Sequence, residues 1–150
     1  MSNVIIAIAV LVIGFVLASY GVYENVQASR RTALATTIGS KMSLLAVYNQ
    51  DMREDVGPRS ILSPSEEASM GYASYSQDML QRESFGPVTF RFHAIAGGYY
   101  VCATSSDVST SMREAMQMVA RDRPPAFVSG ECGVAATAIG TQAVTSLRIY

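Results

Sequence analysis

From Val4 to Tyr23 the chain runs twenty residues without a charged side chain, VIIAIAVLVIGFVLASYGVY. At about 1.5 Å of rise per residue, a helix of that length matches the roughly 30 Å hydrocarbon core of a bilayer. The pattern predicts a transmembrane anchor over residues 1–23. Hydropathy then turns from continuous to periodic. Glu24 to Asp51 holds no proline, and Leu34, Ile38, Met42, Leu45, Tyr48 and Met52 recur at steps of three and four, the spacing of an amphipathic helix that continues the anchor. This stripe is predicted to pack on a globular domain occupying the rest of 24–150. Arg31, Thr36, Ser40, Ser43 and Gln50 are assigned to the opposite side, wet or facing a partner. Gly39 costs about 1 kcal/mol relative to alanine inside a helix. Gly57-Pro58 is the predicted stop.

Beyond the stop, Ser63-Pro64-Ser65-Glu66 has the form of a helix start, with serine as N-cap, proline at the first helical position and glutamate reaching back. A break is expected near Gly71, after which Tyr72, Tyr75, Met79 and Leu80 resume helical spacing through Arg82. The period then falls to two. Val88, Phe90, Phe92 and Ala94 alternate with Thr89, Arg91, His93 and Ile95, Gly97-Gly98 supplies a tight turn, and Tyr99 to Thr104 returns as the partner strand. Asp107 or Ser109 opens a further helix to about Arg121, with Met112, Met116, Val119 and Ala120 inward and Pro124-Pro125 closing it. Phe127-Val128 lead into Gly130–Gly133, and a last strand is predicted from Val144 to Tyr150. The expected fold class is α+β, a long N-terminal helix packed on a small antiparallel sheet with one or two extra helices.

A cleavable signal peptide is the rival reading of the apolar run. It fits less well, because no Lys or Arg precedes the run and the run exceeds the roughly 7 to 15 residues of a signal core. A buried core helix would need a chain of 150 residues to wrap twenty apolar ones on all sides. Flanking charge and cysteine content disagree about orientation. Arg30, Arg31 and Lys41 follow the span while nothing basic precedes it, which argues for a cytoplasmic tail. Cys102 and Cys132 are placed to pair around the Met112 helix, which argues for an oxidising compartment, and the second argument is preferred because long domains cross largely regardless of charge. A pairing would close a loop of about 30 residues, and the alternative is two buried free thiols.

Formal net charge is −1, so no field is strong enough to draw in nucleic acid. No constellation for catalysis, metal or cofactor presents itself. His93 is the only histidine, two cysteines and one histidine fall short of a zinc site, and the Gly97-Gly98 and Gly130–Gly133 glycines are turn residues rather than phosphate loops. Interaction features carry more weight. Gly14 and Ala18 form a small-xxx-small pair that would let two anchors approach, giving a route to a homo-oligomer. Tyr20 and Tyr23 sit where aromatic belts meet the membrane surface.

The anchor with Gly14 inside it, the stripe from Leu34 to Met52 and the Cys102/Cys132 pair together resemble type IV pilin-like proteins. In layout, and in the AVYN segment ending at Asn49, the chain is also similar to the small membrane-anchored PilM-type proteins of type IVb thin-pilus systems. The resemblance implies a component of pilus biogenesis or of a related secretion apparatus. It also implies an inner-membrane location, a periplasmic or extracellular C-terminal domain, and membrane lipid and other pilus or secretion-system subunits as partners. It supplies no catalytic residues. Pilins carry a basic leader ending in a processing glycine and a glutamate near the start of the apolar helix. Here the chain opens Met1-Ser2-Asn3, and its first carboxylate is Glu24. Retention of the anchor, and a place at the base rather than in the filament, are the expectations that follow, with a mature pilin or minor pilin as the alternative.

Overall fold

A computed structural model describes residues 2–56, 72–95 and 98–149, with side chains over 10–51, 78–95 and 98–149. The first helix, α1 (Ser2–Val56), is one unbroken run of 55 residues. At about 1.5 Å per residue it is about 80 Å long. No proline interrupts it, so each interior amide finds its carbonyl one turn back, and the predicted stop at Gly57-Pro58 lies outside the described residues. Met52's side chain, the Ser63–Glu66 helix start, the side chains of Tyr72 and Tyr75, Gly97 and Tyr150 lie outside the described residues.

Helical spacing resumes as expected in α2 (Tyr72–Glu83). Gly86, at φ 51°, turns the chain into β1 (Val88–Ile95). β1 pairs antiparallel with β2 (Gly98–Ser105), Phe90 opposite Ala103 and Phe92 opposite Val101. Ser109 caps α3 (Thr110–Asp122), its hydroxyl accepting from the Met112 amide. Two strands follow, β3 (Phe127–Ser129) and β4 (Ala143–Arg148). The sheet is antiparallel throughout, in the order β1-β2-β4-β3. The last strand therefore lies inside, and β3 forms an edge that the sequence reading passed over. Three residues between a proline pair and a glycine are too few to display a period of two.

Alternation along the strands gives the sheet two working faces. On one, Val88, Phe90, Val101, Ala103 and Ala143 meet Ile38, Met42 and Leu45 of α1 and Met112, Ala115, Met116 and Val119 of α3, so the two helices lie side by side on the sheet. On the other, a smaller cluster gathers Tyr100, Cys102, Val144 and Cys132, with Ile95 and Phe127 against it. Ile95, read from the sequence as polar-side, thus belongs to the second cluster, whereas Ala94 is exposed. Ala120, expected inward, is only half-buried, and Ala115 takes its place at 0% exposure. The reason is angular. Met112, Ala115, Met116 and Val119 already fill the inward arc, and Ala120 lies about 100° round from Val119.

Candidate functional site

In the C-terminal half of α1 the expected stripe and the buried residues correspond at residues 38, 42 and 45. Ile38, Met42 and Leu45 are fully buried, each at 0% exposure, while Leu34 and Tyr48 are half-buried at the rim of the stripe. Ala35 at 6% and Asn49 at 1% complete its centre line, so the seam runs through 35, 38, 42, 45 and 49. Sequence reasoning chose Leu34 and Tyr48 for their size. The geometric axis passes one residue later in each case, through a small alanine and a polar asparagine.

Arg31 does not lie on the opposite face. Seven residues fall about 20° short of two full turns, which places Arg31 nearly in line with Ile38, on the packed side. There its guanidinium forms an ion pair with the Glu114 carboxylate of α3, and its Nε donates to the Gln27 carbonyl at 3.3 Å. Ser43 stays exposed, as expected of the outer side, yet it gains a partner from the end of α3. Its hydroxyl accepts from Arg123 Nε at 3.2 Å, which sets it beside the α1–α3 seam. Gly39 is covered by the same arginine, because a Cβ there would run into the Arg123 guanidinium. On the other flank Lys41 Nζ lies 2.5 Å from Glu83 and 5.7 Å from the centre of the Phe85 ring, holding α1 to the end of α2. Apart from the Arg31–Gln27 bond within α1, each of these contacts joins residues far apart in the chain, so the helical period of α1 alone gave no sign of the partner.

What remains on the outer face of α1 is uncharged between Ala33 and Gln50: Thr37, Ser40, Leu44 and Val47 are all exposed. Leu44 keeps 49% and Val47 55% of its surface in solvent. Sequence reasoning missed this pair, although its spacing of three, two residues away from the stripe, is the signal of a second apolar line. Further up, Val10 to Val26 is bare, and no residue of the apolar window is buried in the fold. The helix is long and apolar enough to cross a membrane. Gly14 and Ala18 stand exposed one turn apart on it, and a Cβ at Gly14 would touch nothing within 4 Å.

Cys102 and Cys132 form a disulfide, with Cα atoms 5.8 Å apart. The bridge ties β2 to the loop after β3 and so encloses α3. Two local features aim Cys132 at the sheet. Gly133 adopts φ 79°, which a side chain would strain, and its amide donates to the Ser146 hydroxyl at 2.9 Å. A Cβ on Gly133 would also press on the Ile95 side chain and the Tyr100 ring at 3.0 and 3.2 Å. The Ser146 hydroxyl in turn donates to Cys102 Sγ, a weak acceptor, at 3.4 Å, so one hydroxyl serves both ends of the bridge.

His93 is half-buried opposite Tyr100 in the β1–β2 register. Among the described residues no group of three or more His, Cys, Asp or Glu side chains is placed to hold a metal ion. The clefts found among them follow the α1–α3 seam. One of them, about 640 Å³, is lined by Ala28, Arg31, Thr32, Glu114, Met118 and Arg121 among others. These surfaces present hydroxyls, an ion pair and thioether bulk. Comparison with known protein families, with characterised proteins and with solved structures finds no match for this chain.

Proposed function

We propose that this chain is a membrane-anchored component of type IV pilus biogenesis or of a related secretion or assembly apparatus. In this reading its folded domain stands on the extracytoplasmic side of the inner membrane. The observation that carries it is the single helix from Ser2 to Val56, apolar in its first half, bare from Val10 to Val26, and packed on an antiparallel sheet in its second half. Such a helix couples a bilayer to a small rigid domain with no linker between them, which suits a part that must be held in fixed geometry within a larger assembly. The Cys102–Cys132 bridge favours an oxidising compartment.

A second reading, a structural pilin or minor pilin subunit, is favoured by one observation. Leu44 and Val47 extend an apolar line onto the outer face of the C-terminal half of α1, where a neighbouring helix would cover them. Deleting the chain and recovering sheared filaments and membranes from the complemented strain tests both. The proposal expects filaments to be lost on deletion, with the complementing chain in the membrane fraction and not in the filament. Finding the chain along the filament selects the second reading. Normal filaments without the chain would overturn both.

A further inference from the structure

We infer that the end of the folded domain nearest the anchor, Ser109 to Arg113 at the start of α3, sits in the headgroup layer of the bilayer that α1 crosses. The inference rests on α1 being a membrane span. Its ground is the way α3 is laid along α1. Thr110 and Ser111 share a cleft of about 300 Å³ with Tyr20, Tyr23, Glu24 and Gln27. Glu114, one turn on, meets Arg31. Val119 faces the groove of Thr32 and Ala35, and Arg123 reaches Ser43. Each step up α3 is matched by a step up α1, so the two helices run side by side in the same direction and α3 begins level with the last turn of the apolar run.

Depth follows from that alignment. Tyr23 closes the uncharged run, and the headgroup layer extends about 5 to 7 Å beyond the hydrocarbon on each side. Tyr20 to Gln27 spans about 10 Å of helix, with Tyr23 near its middle. Thr110 and Ser111, placed against that stretch, fall within the layer. The chemistry there suits an interface: three consecutive hydroxyls on Ser109, Thr110 and Ser111, an exposed Arg113, and phenols on Tyr20 and Tyr23 that are 64% and 62% exposed. Tyrosine rings favour this depth, where one end is apolar and the other wet. Acidic Glu24 and Asp107 offset Arg113 and Arg30, so the surface fits zwitterionic headgroups and does not require anionic lipid. The occupant is lipid because the surface is continuous with the span, leaving too little height between them for a protein partner.

Fluorescence depth measurements on the full chain in phosphatidylcholine vesicles test this. With Cys102 and Cys132 left oxidised, a single added cysteine takes an environment-sensitive probe at Leu11→Cys, Thr110→Cys, Arg113→Cys or Gln50→Cys. The Leu11 probe should be quenched by acyl-chain spin labels. The Thr110 and Arg113 probes should be quenched by headgroup spin labels at least about threefold more than the Gln50 probe, which stands about 40 Å up the helix from Tyr23. An unquenched Leu11 probe would remove the span and this inference with it. A quenched Leu11 probe, with Thr110 and Arg113 no more quenched than Gln50, would overturn the seating while leaving the span intact.

Discussion

Leu44 and Leu45 are neighbours in sequence and opposites in environment, and the pair gives the sharpest test of how α1 is rotated against the sheet. Leu45 is 0% exposed within the main core, whereas Leu44 keeps 49% of its surface in solvent. Truncating Leu45 to alanine removes three buried carbons, worth about 0.8 kcal/mol each and about 2.4 kcal/mol together in transfer from water. The cavity left behind adds to this, because α1 is held on both flanks by the Arg31–Glu114 and Lys41–Glu83 pairs and is not free to collapse inward. A total of about 3 to 4 kcal/mol is expected, inside the usual range for buried leucine truncation. Leu44→Ala should fall within about 0.5 kcal/mol of wild type. For a domain of this size the contrast corresponds to about 10 to 15 °C in Tm for Leu45→Ala and almost none for Leu44→Ala. The assay is thermal and urea unfolding of the full chain in detergent, followed by near-ultraviolet circular dichroism of Tyr99 and Tyr100, which sit buried in the sheet. Equal melts for the two variants, or a larger loss for Leu44→Ala, would mean that the seam does not run through residue 45 and that the helix–sheet packing described above is wrong.

Other expectations address the clamps and the loop. Arg31→Glu sets two carboxylates against each other at the α1–α3 seam and should destabilise by about 1 kcal/mol at low ionic strength, because both partners are part-exposed. The loss should shrink in high salt, and the double exchange with Glu114→Arg should recover most of it. Reducing the Cys102–Cys132 bridge should lower stability by about 3 to 4 kcal/mol on the loop-entropy estimate, and non-reducing mass spectrometry of native protein should show the two peptides linked. Two freely alkylated thiols there would remove the argument for an oxidising compartment. Gly130→Ala directs a methyl group into the Ala138 carbonyl, a backbone atom that cannot swing aside, and should cost about 1 to 3 kcal/mol in urea melts. A wild-type midpoint for that variant would show that the loop between β3 and β4 is laid differently.

Features carried by a period were legible in the sequence. The unbroken α1, the hairpin of β1 and β2, the α3 helix and the late strand all follow from spacing, because burial of one face imposes that spacing on the chain. The Cys102/Cys132 pair was legible by its position around α3. Features carried by contacts between elements were not. Arg31 was assigned to the wet side because charge outweighed angle, although its seven-residue distance from Ile38 set it on the packed side. Asn49 was passed over for Tyr48 because burial of a polar residue has no sequence signature. Ser43 has no sign of Arg123 written near it, eighty residues away. Leu44 and Val47 were lost for a related reason: once one stripe had been found, leucine and valine off it read as background.

Because α1 continues from the bare segment into the core as one helix, its two halves behave like two gears keyed to one shaft. The side of the helix that carries Gly14 and Ala18 sets, by a constant 100° for each residue between, the compass bearing of the sheet and of the Leu44–Val47 line. A single residue inserted between Tyr23 and Glu24 would leave the core contacts of the domain unchanged, yet swing the domain more than a quarter turn about the helix axis and carry Tyr20 and Tyr23 away from the Thr110–Ser111 cleft. Two inserted residues would face it almost backwards, and seven would bring it nearly home. Bearing, rather than composition, is the quantity that a helix of this kind hands on to whatever meets the domain.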